Sequence, residues 1–231
     1  VDTYLLAEEA FVGIQGEGKY QGTNSLFIRF YGCNLRCTLC DSRYAVDSKE
    51  ETLSYTEDEI INLVHVFEGH IVFTGGEPLL GKYQTLIFKL IDMFPNKFFE
   101  IETNGSLELM DEKYFEYENV IFNISPKNNI DQDDGVSVPG YYLLEQIQTI
   151  QNPKFDYIVK ILFNSIHDFT NTKIFIDSLG VRSSKVYFQP ISIEGDNSIR
   201  LAKRYIDIIV QGGYNLSLRL HTILFDNKRG V

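Results

Sequence analysis

Apolar residues along the chain gather into short continuous runs, separated by longer stretches where they recur every third or fourth position. The continuous runs, 25–31, 70–74, 98–103, 119–125, 155–162 and 185–189, read as strands covered on both faces. The stretches 56–68, 79–94, 141–151, 168–179 and 195–211 read as helices. One helix start is explicit: Thr56 stands as N-cap with Glu59 three residues on, then Ile60, Ile61 and Val64 share one face. The last long helix meets its stop at Gly212-Gly213. Repeated strand–helix alternation predicts βα units and a parallel sheet, either open and doubly wound or an incomplete barrel. In both, the working surface lies at the C-terminal ends of the strands. Segment 127–140, with Asn128, Asn129, Asp131, Asp133, Asp134 and Gly135, reads as a polar surface loop. Without an internal repeat or linker, residues 1–231 read as one domain.

The notable polar motifs each follow a strand. Cys33, Cys37 and Cys40 come directly after the run 25–31, and they are the only cysteines in the chain. Their polar neighbours Asn34, Arg36, Thr38 and Asp41 argue against three cysteines serving as buried hydrophobes. A structural zinc site wants a fourth ligand, and none is evident. A redox pair at 37 and 40 leaves Cys33 unexplained. Three thiolates suit an iron–sulfur cube that keeps one iron open for chemistry. Thr74-Gly75-Gly76-Glu77-Pro78, Glu102-Thr103-Asn104-Gly105, Ser125-Pro126-Lys127 and Gln189-Pro190 end later strands. Singly, these read as turns or solvated surface.

Composition narrows the function classes. A net charge of −11 excludes a general nucleic-acid-binding surface. No apolar run reaches the length of a membrane span. The N-terminal residues lack a secretory pattern, and three clustered cysteines suit a reducing compartment, so a cytoplasmic location is expected.

The C-x3-C-x2-C run resembles the radical S-adenosylmethionine superfamily. The ordered set Ile14-Gln15-Gly16-Glu17-Gly18, Arg29 through Cys37, Cys40-Asp41-Ser42, Thr74 to Pro78, Glu102 to Gly105, Ser125 to Lys127, Phe188 to Pro190 and Leu220-His221 resembles, within it, the 7-carboxy-7-deazaguanine synthase family. That resemblance spans about residues 8–223. It implies an incomplete (βα)6 barrel over about 25–211, with both terminal segments helping to form the substrate site. It also implies ring contraction of 6-carboxy-5,6,7,8-tetrahydropterin to 7-carboxy-7-deazaguanine with loss of ammonia, on the route to queuosine.

The implied cofactors are a 4Fe-4S cluster on Cys33, Cys37 and Cys40, S-adenosylmethionine, and Mg2+. S-adenosylmethionine would lie against Leu39, Asp41, Gly75, Gly76, Glu77, Glu102, Ser125, Pro126, Lys127 and Gln189. The pterin would meet Ile14, Gln15, Gly16, Glu17, Arg29, Thr74 and His221, with Arg29 as the fork for its carboxylate. Mg2+ falls to Ser42, where the family carries Thr; the hydroxyl still suits a hard cation. A flavodoxin- or ferredoxin-like electron donor and a homodimer are implied as well. The rival readings are another radical S-adenosylmethionine enzyme, such as a glycyl-radical activase, and a non-catalytic zinc module.

Overall fold

From the N-terminus, β1 (Thr3–Leu6), β2 (Phe11–Ile14) and β3 (Asn24–Phe30) precede a one-turn helix α1 (Tyr44–Asp47) and β4 (Leu53–Thr56). Then come α2 (Glu57–Val66), β5 (His70–Gly75), α3 (Lys82–Met93), β6 (Phe98–Thr103), β7 (Val120–Ile124), α4 (Tyr142–Ile150) and β8 (Asp156–Phe163). The chain closes with α5 (Ile166–Ser178), β9 (Val186–Pro190), α6 (Gly195–Gln211), β10 (Asn215–Leu216) and α7 (Leu220–Phe225). This computed structural model describes residues 2–127, 132, 140–191, 195–226 and 228–230. Most of the loop read over 127–140 therefore lies outside the described residues.

All six expected strands form, and they pair in parallel in the order β3-β5-β6-β7-β8-β9. β10 extends the sheet beyond β9, while β1 and β2 pair antiparallel with β3 and β4 continues beyond β1. The terminal strands β4 and β10 do not meet, so the barrel is incomplete. Among the described residues, no helix is long and apolar enough to cross a membrane.

The strands are not apolar on both faces, as their sequence suggested. Phe30, Phe73, Phe99 and Phe122 belong to one core with Ile60 and Val64 of α2, Leu86 and Leu90 of α3, and Leu143 and Ile147 of α4. Enclosing a side chain of this size contributes about 1.5–3 kcal/mol. The alternate positions turn inward, and they carry Arg29, Thr74, Glu102, Asn123, Lys160 and Gln189 onto one cavity wall. A period of two thus separates packing from chemistry on the same strands.

Two helix boundaries carry consequences for the site. The expected capping box is present: Glu59 N donates to Thr56 Oγ1 at 3.3 Å, and Thr56 N donates to Glu59 Oε2 at 2.7 Å. α3 begins at Lys82 rather than 79, because Gly81 at φ 54 holds the chain out of the helix after Pro78. The residues freed by that delay shape the end of β5.

Candidate active site

Directly after β3, Gly32 N donates to Ala45 O at 2.8 Å and fastens the start of the cysteine loop to α1. Arg36 Nη1 reaches back to the carbonyls of Cys33 and Leu35 at 2.8 and 3.0 Å, and Arg43 Nη1 donates to Cys37 O at 3.0 Å. Two arginines thus brace the loop from inside. Leu35 N donates to Cys33 Sγ at 3.3 Å, and Gln132 Nε2 to Cys37 Sγ at 3.4 Å. Burial pushes the free Cys33 thiol up to about 11, against the pull of the Leu35 amide. Metal binding must displace that proton. Donors aimed at sulfur suit thiolate ligands of an iron–sulfur cluster. Among the described residues, no three His, Cys, Asp or Glu side chains close around one point as a single ion requires. A cubane, whose ligands bind separate irons, sets no such demand.

Gly75 and Gly76 carry β5 past the sheet edge, against the beginning of that loop. Gly76 N donates to Phe30 O at 3.0 Å and Glu77 N to Gly32 O at 2.8 Å. A Cβ on Gly75 would lie 2.1 Å from Phe30 O, and one on Gly76 would lie 2.1 Å from Gly32 O. The glycines therefore serve a backbone-to-backbone approach that sets Cys33 beside the end of β5. Glu77 sits behind this surface, fully enclosed. It accepts from Thr103 Oγ1 at 2.7 Å, Asn104 N at 2.8 Å and Leu79 N at 3.0 Å. Its carboxylate locks the ends of β5 and β6 together.

The three cysteines open onto a cavity of about 600 Å³. Its floor is the polar inner face of the barrel. Thr74 Oγ1 donates to Glu102 Oε2 at 2.8 Å, and Gln15 Nε2 donates to Glu102 Oε1 at 3.2 Å. Lys127 Nζ donates to Ser125 Oγ at 2.8 Å; burial first, and the Lys160 charge next, lower its pKa. On the β3 side, Arg29 Nε donates to Glu8 Oε1 at 2.7 Å, which also accepts from Tyr44 OH at 2.7 Å.

The N-terminal segment folds over this floor and is held there by the C-terminal one. Leu220 N donates to Gly16 O at 2.8 Å, Gly18 N to Ser217 Oγ at 2.8 Å, and Gln21 Nε2 to Leu218 O at 2.9 Å. Glu17 pairs with Lys160 and, at 3.2 Å, with Arg219 Nε. Burial alone would raise the Glu17 carboxyl. The charges of Lys160, His221 and Arg219 overcome that and hold it well below the usual carboxylate range. Arg219 Nη2 also reaches Asp41 Oδ2 at 2.9 Å, linking the C-terminal segment to the cysteine loop.

Of the residues expected at the site, Ile14, Gln15, Gly16, Glu17, Arg29, Cys33, Cys37, Leu39, Cys40, Asp41 and Ser42 all line the cavity. So do Thr74, Gly75, Gly76, Glu102, Ser125, Lys127, Gln189 and His221. Glu77 and Pro126 do not reach its surface. Lys160, Arg219, Glu8 and Tyr44 were not anticipated. Lys160 had a signal, being a lone charge inside an apolar strand run. Glu8 had none.

The family model of the radical SAM superfamily matches residues 27–129. The chain is 34% identical to the 7-carboxy-7-deazaguanine synthase of Thermoplasma acidophilum, over 98% of this chain and 100% of that one. It is 30% identical to the synthase of the same name from Hyperthermus butylicus, over 97% and 94%. Among solved structures, QueE from Escherichia coli superposes with a TM-score of 0.70 at 21% identity, covering 95% of each chain. The anSMEcpe protein with bound AdoMet superposes at 0.57 and 19% identity, covering 87% of this chain and 66% of that one. With full-length identity at this level and the three-cysteine loop at the strand ends, the chain belongs to the 7-carboxy-7-deazaguanine synthase family of radical SAM enzymes.

Proposed function

We propose that this enzyme converts 6-carboxy-5,6,7,8-tetrahydropterin to 7-carboxy-7-deazaguanine with release of ammonia, a step toward queuosine and related deazapurines. One observation carries the reading: a single cavity is lined both by Cys33, Cys37 and Cys40 and by Gln15, Glu17, Arg29 and His221. A 4Fe-4S cluster on the three thiolates, with S-adenosylmethionine on its open iron, supplies when bound the 5′-deoxyadenosyl radical for hydrogen abstraction.

The chain's own residues bind and orient. Gly75 and Gly76 offer bare backbone for the methionine end of S-adenosylmethionine, with Leu39 and Asp41 on the cysteine loop. Glu102, Ser125, Lys127 and Gln189 form the wall beneath it, and Glu77 and Pro126 hold the strand ends that present these groups. Arg29 presents a fork to the substrate carboxylate, so Glu8 must share it on binding. Thr74, Ile14, Gln15, Gly16 and His221 surround the ring system, and Glu17 accepts from its amino-pyrimidinone edge. The Ser42 hydroxyl, which donates to Asp41 Oδ1 at 3.3 Å, would hold Mg2+, and the ion would help neutralise the substrate carboxylate. The whole chain acts as one domain, closed over the floor by its two terminal segments. A cytoplasmic homodimer reduced by a flavodoxin- or ferredoxin-like donor completes the reading.

The test is anaerobic reconstitution with iron and sulfide, followed by incubation with reductant, S-adenosylmethionine and the carboxytetrahydropterin. Mass spectrometry should find 7-carboxy-7-deazaguanine. Cleavage of S-adenosylmethionine without that product would leave another radical enzyme of the superfamily. Stoichiometric zinc in a colourless protein would point to a binding module instead.

A further inference from the structure

At and below the cavity floor, the inner faces of β5, β6 and β7 hold three buried polar residues that the proposed chemistry does not use: Asn123 at its surface, and His70 and Glu100 beneath. The hydroxyl of Ser25 donates to Thr23 O at 3.0 Å, so in its 3.0 Å contact with His70 Nδ1 it must accept. Nδ1 therefore carries the hydrogen, and the neutral ring presents a bare lone pair at Nε2. Nε2 lies 3.3 Å from Glu100 Oε2, and neither atom has a hydrogen-bond partner among the described residues. Two buried acceptors cannot face each other without a hydrogen between them, since an unmet buried polar atom costs about 1–3 kcal/mol.

The other side of Glu100 leads to the cavity. Oε1 accepts from Asn123 Nδ2 at 2.9 Å, while the neighbouring carboxyl, Glu102 Oε1, accepts from the Gln15 amide at 3.2 Å. The two carboxyl groups occupy neighbouring inward positions of β6. Burial first and the Glu102 charge next push Glu100 up to about 8, while burial pushes His70 down to about 4. Of the groups packed around the pair, Lys160 on β8 opposes the rise, Tyr20 lays its ring 5.3 Å from the imidazole, and Asn123 and Gln15 carry no charge.

We propose that Glu100 and His70 share one proton between Oε2 and Nε2 as an uncharged couple, which positions Gln15 and Glu102 in the cavity floor. An ionised Glu100 would set a second negative charge beside Glu102 and drive it away from Gln15. The shared proton removes that repulsion and leaves the lone pairs of Glu100 Oε1 to fix Asn123. Neither residue touches substrate; both act through Glu102, which holds Gln15. The proposal rests on the pterin reading only for the identity of the substrate that meets this floor.

Infrared difference spectra of the cluster-loaded enzyme and its Glu100→Gln variant at about pH 7 test the proton directly. The expected result is loss of one protonated carboxylic-acid carbonyl band in the variant; absence of that band overturns the proposal. His70→Asn should shift the same band by changing its partner, and an unmoved band also overturns it. In steady state, Glu100→Ala should raise KM for the pterin about tenfold, with uncoupled S-adenosylmethionine cleavage unchanged, and Glu100→Gln should restore KM. A Gln variant as impaired as Ala would reject the couple. Failure of the unaltered enzyme to form any deazaguanine would defeat the pterin reading alone, because the infrared result does not depend on turnover.

Discussion

Gly16 lies flat against the imidazole of His221, so closely that a Cβ on it would stand 2.0 Å from Nδ1. The backbone clamps the same contact, with Leu220 N donating to Gly16 O at 2.8 Å. The terminal segments therefore meet most tightly here, at the border of the cavity. Gly16→Ala must push His221 and the start of α7 outward. Overpacking of this kind costs about 1–3 kcal/mol, and here it falls on the substrate side. The expected outcome is a raised KM for the pterin, with iron content and S-adenosylmethionine cleavage retained. Loss of the cluster in this variant would show that the contact supports the cysteine loop instead.

Arg29 and Glu8 lead to a second expectation. The guanidinium is paired before substrate arrives, and its partner also holds Tyr44, so it is presented in a fixed orientation. Arg29→Lys keeps the charge but loses the fork. Charged hydrogen bonds contribute about 1.5–3 kcal/mol, so kcat/KM should fall roughly ten- to a hundredfold. Deoxyadenosine formed without product should persist. If deoxyadenosine formation falls in step with product, Arg29 serves the cofactor rather than the pterin.

Much of this was legible from hydrophobic pattern, but unevenly. The six parallel strands and the Thr56 capping box follow from apolar runs and from one local hydrogen-bond exchange. β1, β2 and β4 are four residues each, too short for a period to register; β1 and β2 form on the edges of β3, and β4 on the edge of β1. The cysteines and Gly75-Gly76 were visible through rare residues at fixed spacing. What the glycines do was not: their closest neighbours are the backbones of Phe30 and Gly32, more than forty positions earlier. Glu8 and Arg219 carry no local mark, since their roles come from partners on distant segments.

The buried couple beneath the floor gives stability a distinctive dependence on pH. Unfolded, Glu100 would titrate near 4.3 and His70 near 6.5. In the fold, Glu100 is pushed up to about 8 and His70 down to about 4. Glu100 thus costs stability as pH rises from about 4.3 to about 8, while His70 adds stability from about 4 to about 6.5. The two slopes oppose each other until His70 is spent. Between about pH 6.5 and 8 only Glu100 acts, and unfolding free energy should fall by about 2 kcal/mol. Glu100→Gln should abolish that decline while leaving the acid-side slope of His70. Anaerobic urea titrations across this range provide the measurement, and an equal decline in both proteins would reject the assignment.

The last expectation concerns how the sheet loads its metal. A Cβ added to Gly76 would stand 2.1 Å from Gly32 O, 2.5 Å from Gly32 C and 3.1 Å from the Cβ of Cys33. Its obstacle is backbone, which has no rotamer to turn away. Gly76→Ala must therefore part the end of β5 from the first residues of the cysteine loop, breaking the bonds from Gly76 N to Phe30 O and from Glu77 N to Gly32 O. The strain falls on backbone at the strand ends, while the side chains of Phe30 and Phe73 pack on the opposite, helix-covered face. Iron and sulfide per chain after reconstitution should drop sharply, while the metal-free protein keeps nearly its original melting temperature. Normal iron loading with lost S-adenosylmethionine binding would mean that the glycine pair faces the cofactor alone. A melting temperature that falls together with iron would place the contact in the fold itself.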